Sequence, residues 1–438
     1  MTLVHVPQGT LRGVAEQGVY FFGSVPYAAD PVGPLRFRPA APPPSWDGER
    51  PATTPGPAAP QVSCYGAVGE VFGTVLPQDE ACLTLTIRTP DLGSTRLPVL
   101  VWLHGGGFVL GSGGEPLYQS GAFARDGVIE VSVTHRLGVD GYATVGPAAN
   151  LGLRDQLAAL TWVHENIHLF GGDPGRITLA GHSAGAMAVA CLLASPLAQG
   201  MVAGAIVQSA TAPLAVPLAT AARIGHHLAD ALTIPREDLT ALAAVPRARL
   251  LEAQRVLCDD AFQGRDLERY GEAAAAGMAF VPVWGDELLP QEPLAALAAG
   301  AARNVPLLAG TTRQETLLMM AHAVGSRMPP PEVGALVLDA VTAELGRPAA
   351  PEPQGRSAFE LAVELTTEAG FRRPTLAVAE AHAPHAEVFT YLFDGPDPVH
   401  GAELRHVFGS GEVHDAWVAF AAKGRPPFTT STVLRGTP

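Results

Sequence analysis

The chain has 438 residues, 47% of them hydrophobic and only 16% charged, enough to bury roughly three quarters of its unfolded surface without disulfide or metal staples. Its 48 Gly and 40 Pro are dispersed among apolar runs, which excludes a collagen-like repeat and wholesale disorder. With 28 Lys and Arg against 42 Asp and Glu the formal charge is −14, so phosphate backbones and anionic lipid would repel it, and neither nucleic acid nor a membrane is an expected partner.

The N-terminal MTLVHVPQGTLRGV reads as strand and turn, without the charged-then-apolar order of a leader. After a Pro-rich stretch from Ala40 to Pro60, short runs of Val, Ile and Leu recur: Leu83–Ile87, Val99–Leu103, Val128–Val133, Ile177–Ala180, Ala205–Gln208, Pro306–Ala309 and Val388–Phe393. Most are bounded by Gly, Pro or Asp and are too short for helices, so they are expected as buried strands. Between two of them, Asp155 to His168 carries Leu160, Val163 and Ile167 at helical spacing and stops at Gly171-Gly172. Such alternation predicts an α/β protein, a mainly parallel central sheet flanked by helices, expected as one domain over residues 1–438. An Ala- and Leu-rich stretch from about 211 to 304 predicts a helical insertion, either a layer on the sheet or a cap over a site at the strand C-termini. The longest apolar helix-like run, Ala184–Ala194, is too short to span a bilayer. Four cysteines with no C-x-x-C pair lead to the expectation of reduced thiols and a cytoplasmic protein.

Chemistry enters at Ser183. Ile177–Ala180 leads into Gly181-His182-Ser183-Ala184-Gly185 and then an apolar run, the G-x-S-x-G pattern in strand–turn–helix context. A tight turn there lifts the hydroxyl clear of the sheet and leaves it at a helix N-terminus, where N–H groups favour developing negative charge. Upstream, Leu100–Leu103 runs into His104-Gly105-Gly106-Gly107-Phe108. A glycine loop of this kind turns N–H groups toward a carbonyl oxygen, so Gly106, Gly107 and Ala184 are the expected oxyanion hole. His164-Glu165-Asn166-Ile167-His168 is a literal H-E-x-x-H, which on a helix could hold zinc. The third-ligand position of the longer pattern is Pro174, however, and no Glu occurs between Glu165 and Glu237. A solvated helix face is the better reading of that segment.

These motifs, with Phe22-Gly23-Ser24-Val25-Pro26-Tyr27, Leu35-Arg36-Phe37, Arg136-Leu137-Gly138, Asn150-Leu151-Gly152-Leu153-Arg154-Asp155-Gln156 and Phe170-Gly171-Gly172-Asp173-Pro174, resemble the type-B carboxylesterases. That group of the α/β-hydrolase superfamily contains the cholinesterases and bacterial para-nitrobenzyl esterases. The resemblance implies an α/β-hydrolase fold and a serine esterase acting on small, mostly apolar carboxylic esters, with no metal or cofactor. It implies that the acid and base follow Ser183 in the chain. Glu315, ending Gly310-Thr311-Thr312-Arg313-Gln314-Glu315, matches the family's acid, with Asp286 in reserve; His400, in Val399-His400-Gly401-Ala402-Glu403-Leu404, matches its base. A non-catalytic cholinesterase-like binding module is the alternative, but such proteins lack a triad member and this chain has all three. The pattern is broken at His182, where the family usually has Glu; elbows tolerate many residues there, and the alternative is that the lost carboxylate shifts the pH optimum. It is also broken at Ala59, where an earlier Cys is common, so a disulfide would have to join Cys64 to Cys82. Ala210 replaces the Gly of Gln-Ser-Gly and adds a methyl near the site.

Overall fold

A computed structural model describes residues 2–64, 76–264, 266–347 and 355–435. The N-terminal strands β1 (Thr2–Val6), β2 (Gly9–Glu16), β3 (Val19–Pro26) and β4 (Glu49–Pro51) lead to the strands expected from the apolar runs: β5 (Thr84–Thr89), β6 (Leu97–Leu103), β7 (Ile129–Val133), β8 (Gly172–His182) and β9 (Gly204–Gln208). A short pair, β10 (Val216–Pro217) and β11 (Val283–Trp284), lies apart, and β12 (Leu307–Thr312), β13 (Val388–Phe393) and β14 (Ser431–Leu434) complete the main sheet. Its order is β1-β2-β3-β5-β7-β6-β8-β9-β12-β13-β14, with β4 beside β2. Pairing is antiparallel from β1 to β7 and parallel from β7 to β14.

Period-2 alternation explains why β6 is apolar throughout. Val99, Val101 and Leu103 join the large core on one face of the sheet. Leu100 and Trp102 join a second core on the other, where the Trp102 ring meets Tyr118, Phe408 and Trp417 at centroid distances of 5.3, 5.0 and 6.0 Å. The expected helix after β7 spans Leu151–Asn166 and tightens into a 3-10 turn at Ile167–Phe170.

Residues 211–304 carry the expected helical insertion, with helices Leu218–Leu232, Leu239–Ala244, Arg247–Gly264, Leu267–Tyr270, Ala273–Ala276 and Pro293–Ala298. The first buries Ile224, Leu228 and Leu232, four residues apart along one face. A second helical crossover, between β12 and β13, was not anticipated. It contains Leu317–Val324, Pro331–Glu344, Ala358–Thr367, a π-helical turn at Glu368–Arg372, and Arg373–His382. Its first helix begins Leu317-Leu318-Met319-Met320, a continuous apolar run that carries no helical period in sequence. Helices Pro331–Glu344 and Ala358–Thr367 share a small core of their own, built on Leu338, Val341, Leu361, Ala362 and Leu365. Cys64 and Cys82 are both buried and form no disulfide, so the Cys64–Cys82 bridge is absent.

Candidate active site

Three loops at the carboxyl ends of parallel strands, after β6, β8 and β12, and a fourth after β13 converge at one edge of the fold, where open α/β sheets place their ligands. Ser183 stands between β8 and the helix Ala184–Ala194 with φ 56° and ψ −122°, a conformation that costs a non-glycine residue on the order of 1–3 kcal/mol. The turn survives because its surroundings hold it. Ser183 N–H donates to the Gln208 carbonyl at 2.8 Å, and the Ser183 carbonyl accepts from Met187 N–H at 3.0 Å. A Cβ on Gly185 would strike the carbonyls of Leu103 and His104, so only glycine lets the helix start this close to β6.

The glycine loop abuts that turn. A Cβ on Gly105 would lie 3.2 Å from the Ser183 Cβ. Gly106 and Gly107 have φ of 115° and 61°, and the Gly106 carbonyl turns inward to accept from Val109 and Leu110 N–H at 3.1 and 2.9 Å. Neither Gly106 nor Gly107 N–H donates to another described residue. Ala184, first in its helix, has an N–H without an intrahelical acceptor. His104, beneath the loop, donates from Nδ1 to the Gly105 carbonyl at 2.7 Å and stacks on His135 at 4.8 Å. Burial pushes the two imidazoles down to about 3 and about 4, so both stay neutral and place no charge under the loop.

Glu315 and His400 meet directly, with His400 Nδ1 donating to Glu315 Oε2 at 2.7 Å. The other carboxylate oxygen accepts from Thr312 N–H at 2.7 Å and from the Ser209 hydroxyl at 2.6 Å. Glu315 is fully buried and His400 6% exposed. Asp286, the reserve acid, is engaged elsewhere: it accepts from Asn150, Arg154 and Leu289 beside the β10–β11 pair. His382 and His385 hydrogen-bond the Val305 and Ala298 carbonyls. In the H-E-x-x-H segment, His164 is half-buried, Glu165 and His168 are exposed, and the change to a 3-10 turn at Ile167 breaks the i, i+4 register. Among the described residues no three metal-ligating side chains converge.

Ser209, Phe371 and Glu403 had no assigned role in the sequence reading. Ser209, with φ 56°, lies in the noted Gln208-Ser209-Ala210, but its bond to Glu315 spans 106 residues and leaves no local pattern. Ala210 is buried, its carbonyl accepting from Thr375. Phe371, on the π-helical turn, lies 4.6 Å from His400 ring to ring; π-bulges recur at functional sites. Glu403, one turn beyond His400, is fully buried. His182, in the Glu position, has its ring 4.5 Å from that of His400, tilted by 37°.

This arrangement defines an α/β-hydrolase. The sequence pattern of the carboxylesterase family matches residues 1–423, and the chain belongs to that family as a carboxylic ester hydrolase. It is 35% identical to the para-nitrobenzyl esterase of Bacillus subtilis over 97% of this chain and 90% of that one. Against the phenmedipham hydrolase of Pseudarthrobacter oxydans it is 32% identical, with the same coverage. A solved para-nitrobenzyl esterase structure superposes with TM-score 0.81 over 99% of this chain and 96% of the other, at 32% identity. A carboxylesterase of Geobacillus stearothermophilus gives 0.78, also at 32% identity.

The loop geometry makes one expectation immediate. Gly106→Ala places a methyl against the Leu110 carbonyl at a φ of 115° that alanine avoids, so the loop must move. The expected loss is about 10²–10³ in kcat with little change in KM. Steady-state kinetics on a para-nitrophenyl ester read it, and an unchanged kcat would show that the Gly106 N–H does not face the reacting carbonyl.

Proposed function

We propose that the chain is a serine carboxylesterase working through an acyl-enzyme on Ser183. The observation that carries this reading is the buried 2.7 Å bond from His400 Nδ1 to Glu315, which puts the ring proton on Nδ1 and makes Nε2 the basic nitrogen. His400 takes the Ser183 proton as the oxygen attacks the ester carbonyl. The oxyanion settles among the N–H groups of Gly106, Gly107 and Ala184. The C–O bond to the alcohol then breaks and His400 returns the proton to the leaving oxygen. Water attacks the acyl-enzyme by the same route and releases the acid. No metal or cofactor takes part.

Small, mostly apolar esters are the expected substrates. Phe371 against His400 supplies apolar surface beside the proposed base, and the half-buried Leu317-Leu318-Met319-Met320 follow Glu315 after one residue. The likeness to a para-nitrobenzyl esterase points the same way. We take the protein to be cytoplasmic, in keeping with the buried thiols of Cys64, Cys82 and Cys191, which form no disulfide.

Fluorophosphonate labelling with peptide mapping, run with and without a metal chelator, tests this. The expected adduct is on Ser183, unaffected by the chelator and absent from Ser183→Ala. Folded wild-type protein that takes no label, or loses it with the chelator, would overturn the serine mechanism.

A further inference from the structure

The proposed triad has a second acid–imidazole pair at its back. Glu403 follows His400 by three residues, and its side chain is fully buried; His182, just before Ser183, is 5% exposed. His182 Nε2 lies 3.5 Å from Glu403 Oε1. That contact is longer than a well-formed hydrogen bond, and no hydrogen bond reaches that nitrogen or either Glu403 oxygen among the described residues, although the Gln208 amide is close enough to favour the anion. The His182 ring leans on His400 at 4.5 Å, 37° from parallel, and its Nδ1 edge borders Gly105 at the root of the glycine loop. The pair therefore touches both the proposed base and the oxyanion loop.

We infer that Glu403 is held as a neutral carboxylic acid with its proton directed at His182 Nε2, and that this pair is a positioning device for His400. Building on the serine-esterase reading, this assigns work to two residues that reading leaves idle. The argument is one of charge placement. Glu315 already carries a buried negative charge, held by the Thr312 N–H and the Ser209 hydroxyl. A second carboxylate in the same dry region would repel it, and the titratable groups facing Glu403 offer no cation in return. They are Glu315, Tyr391, Tyr118 and His182, with His400 beyond His182. Burial, and next the Glu315 charge, push the Glu403 carboxyl well above its usual range. Burial, and then His400, push His182 well below its own. The acid thus keeps the proton and the imidazole accepts it. A neutral His182 matters because an imidazolium there would oppose the positive charge that forms on His400 when Ser183 attacks.

The test separates a donor from a charge and from mere bulk. On a short-chain para-nitrophenyl ester, Glu403→Gln preserves a neutral donor. Its acid limb in kcat/KM against pH is expected where the wild-type limb lies. Glu403→Leu fills similar space but leaves the His182 nitrogen buried without a donor, and is expected to lose about tenfold more kcat/KM than the Gln variant. An acid limb moved to lower pH in Glu403→Gln would mean that an ionised Glu403 had been supporting the imidazolium, and would overturn the inference. Equal kcat/KM for Gln and Leu would reduce Glu403 to packing and overturn it too. A second readout needs no activity: the infrared spectrum at neutral pH should contain a protonated-carboxyl C=O band that shifts in D2O and is missing from Glu403→Gln. Absence of a difference between the two spectra overturns the proposal even if Ser183 proves not to be the nucleophile; a band with an inactive triad would leave the pair standing and remove only the esterase mechanism.

Discussion

Glu315→Gln is expected to lower kcat about 10⁴-fold while leaving the fold and KM nearly unchanged. The size follows from how its two oxygens are committed. One accepts from Thr312 N–H and the Ser209 hydroxyl, at 2.7 and 2.6 Å, and the other accepts from His400 Nδ1 at 2.7 Å. A glutamine has one acceptor. If its oxygen faces Thr312 and Ser209, its NH2 faces His400, so Nδ1 must become the acceptor and the proton moves to Nε2. That tautomer cannot take a proton from Ser183. If the amide flips, two donors lose their acceptor and the NH2 meets them instead. The first arrangement keeps more bonds, so the loss falls on chemistry rather than binding. Steady-state kinetics with matched melting curves check this. A loss under tenfold would show that Glu315 does not set the His400 tautomer.

Much of this site was legible because its pieces are local. Gly181 to Gly185 must be a tight turn wherever it follows a strand and opens a helix, and His104 to Gly107 announces a loop whose N–H groups are unobstructed. The parallel half of the sheet was legible too, since strands buried on both faces read as unbroken Val, Ile and Leu. What escaped was non-local. Thr312 serves Glu315 through a main-chain N–H, which leaves no mark on residue choice, and Ser209 through a contact 106 residues away. The second crossover was missed where it starts, because its first helix buries little of its surface: in Leu317–Val324 only Ala321 is buried. Its apolar residues therefore lack the one-sided pattern that a core imposes. Glu403 lay in a segment already quoted for His400, yet nothing in sequence separates a buried carboxyl from a solvated one.

The largest expected stability effect lies away from the reacting atoms, at Arg136. Its guanidinium grips Asp155 through Nε and Nη2 at 2.7 and 2.6 Å, and donates from Nη1 to the Arg38 carbonyl at 2.7 Å. Asp155 also accepts from the Arg136 N–H at 3.1 Å, and the two side chains are 4% and 0% exposed. This pair ties the segment after β7 to the helix Leu151–Asn166 and both to the N-terminal region. Arg136→Met leaves a buried carboxylate with no counter-charge, a change that costs about 3–5 kcal/mol. For a chain of this length that corresponds to a fall in Tm of about 3–5 °C. The double variant Arg136→Met/Asp155→Leu removes both charges and should recover most of the loss, because desolvation of the ions opposes their attraction. By contrast, Arg255→Met breaks helix-surface pairs with Glu252 and Asp259 and should leave the melting temperature nearly unchanged. Calorimetry on the three variants settles it: if Arg136→Met melts with Arg255→Met, the buried pair is not what holds this corner of the fold.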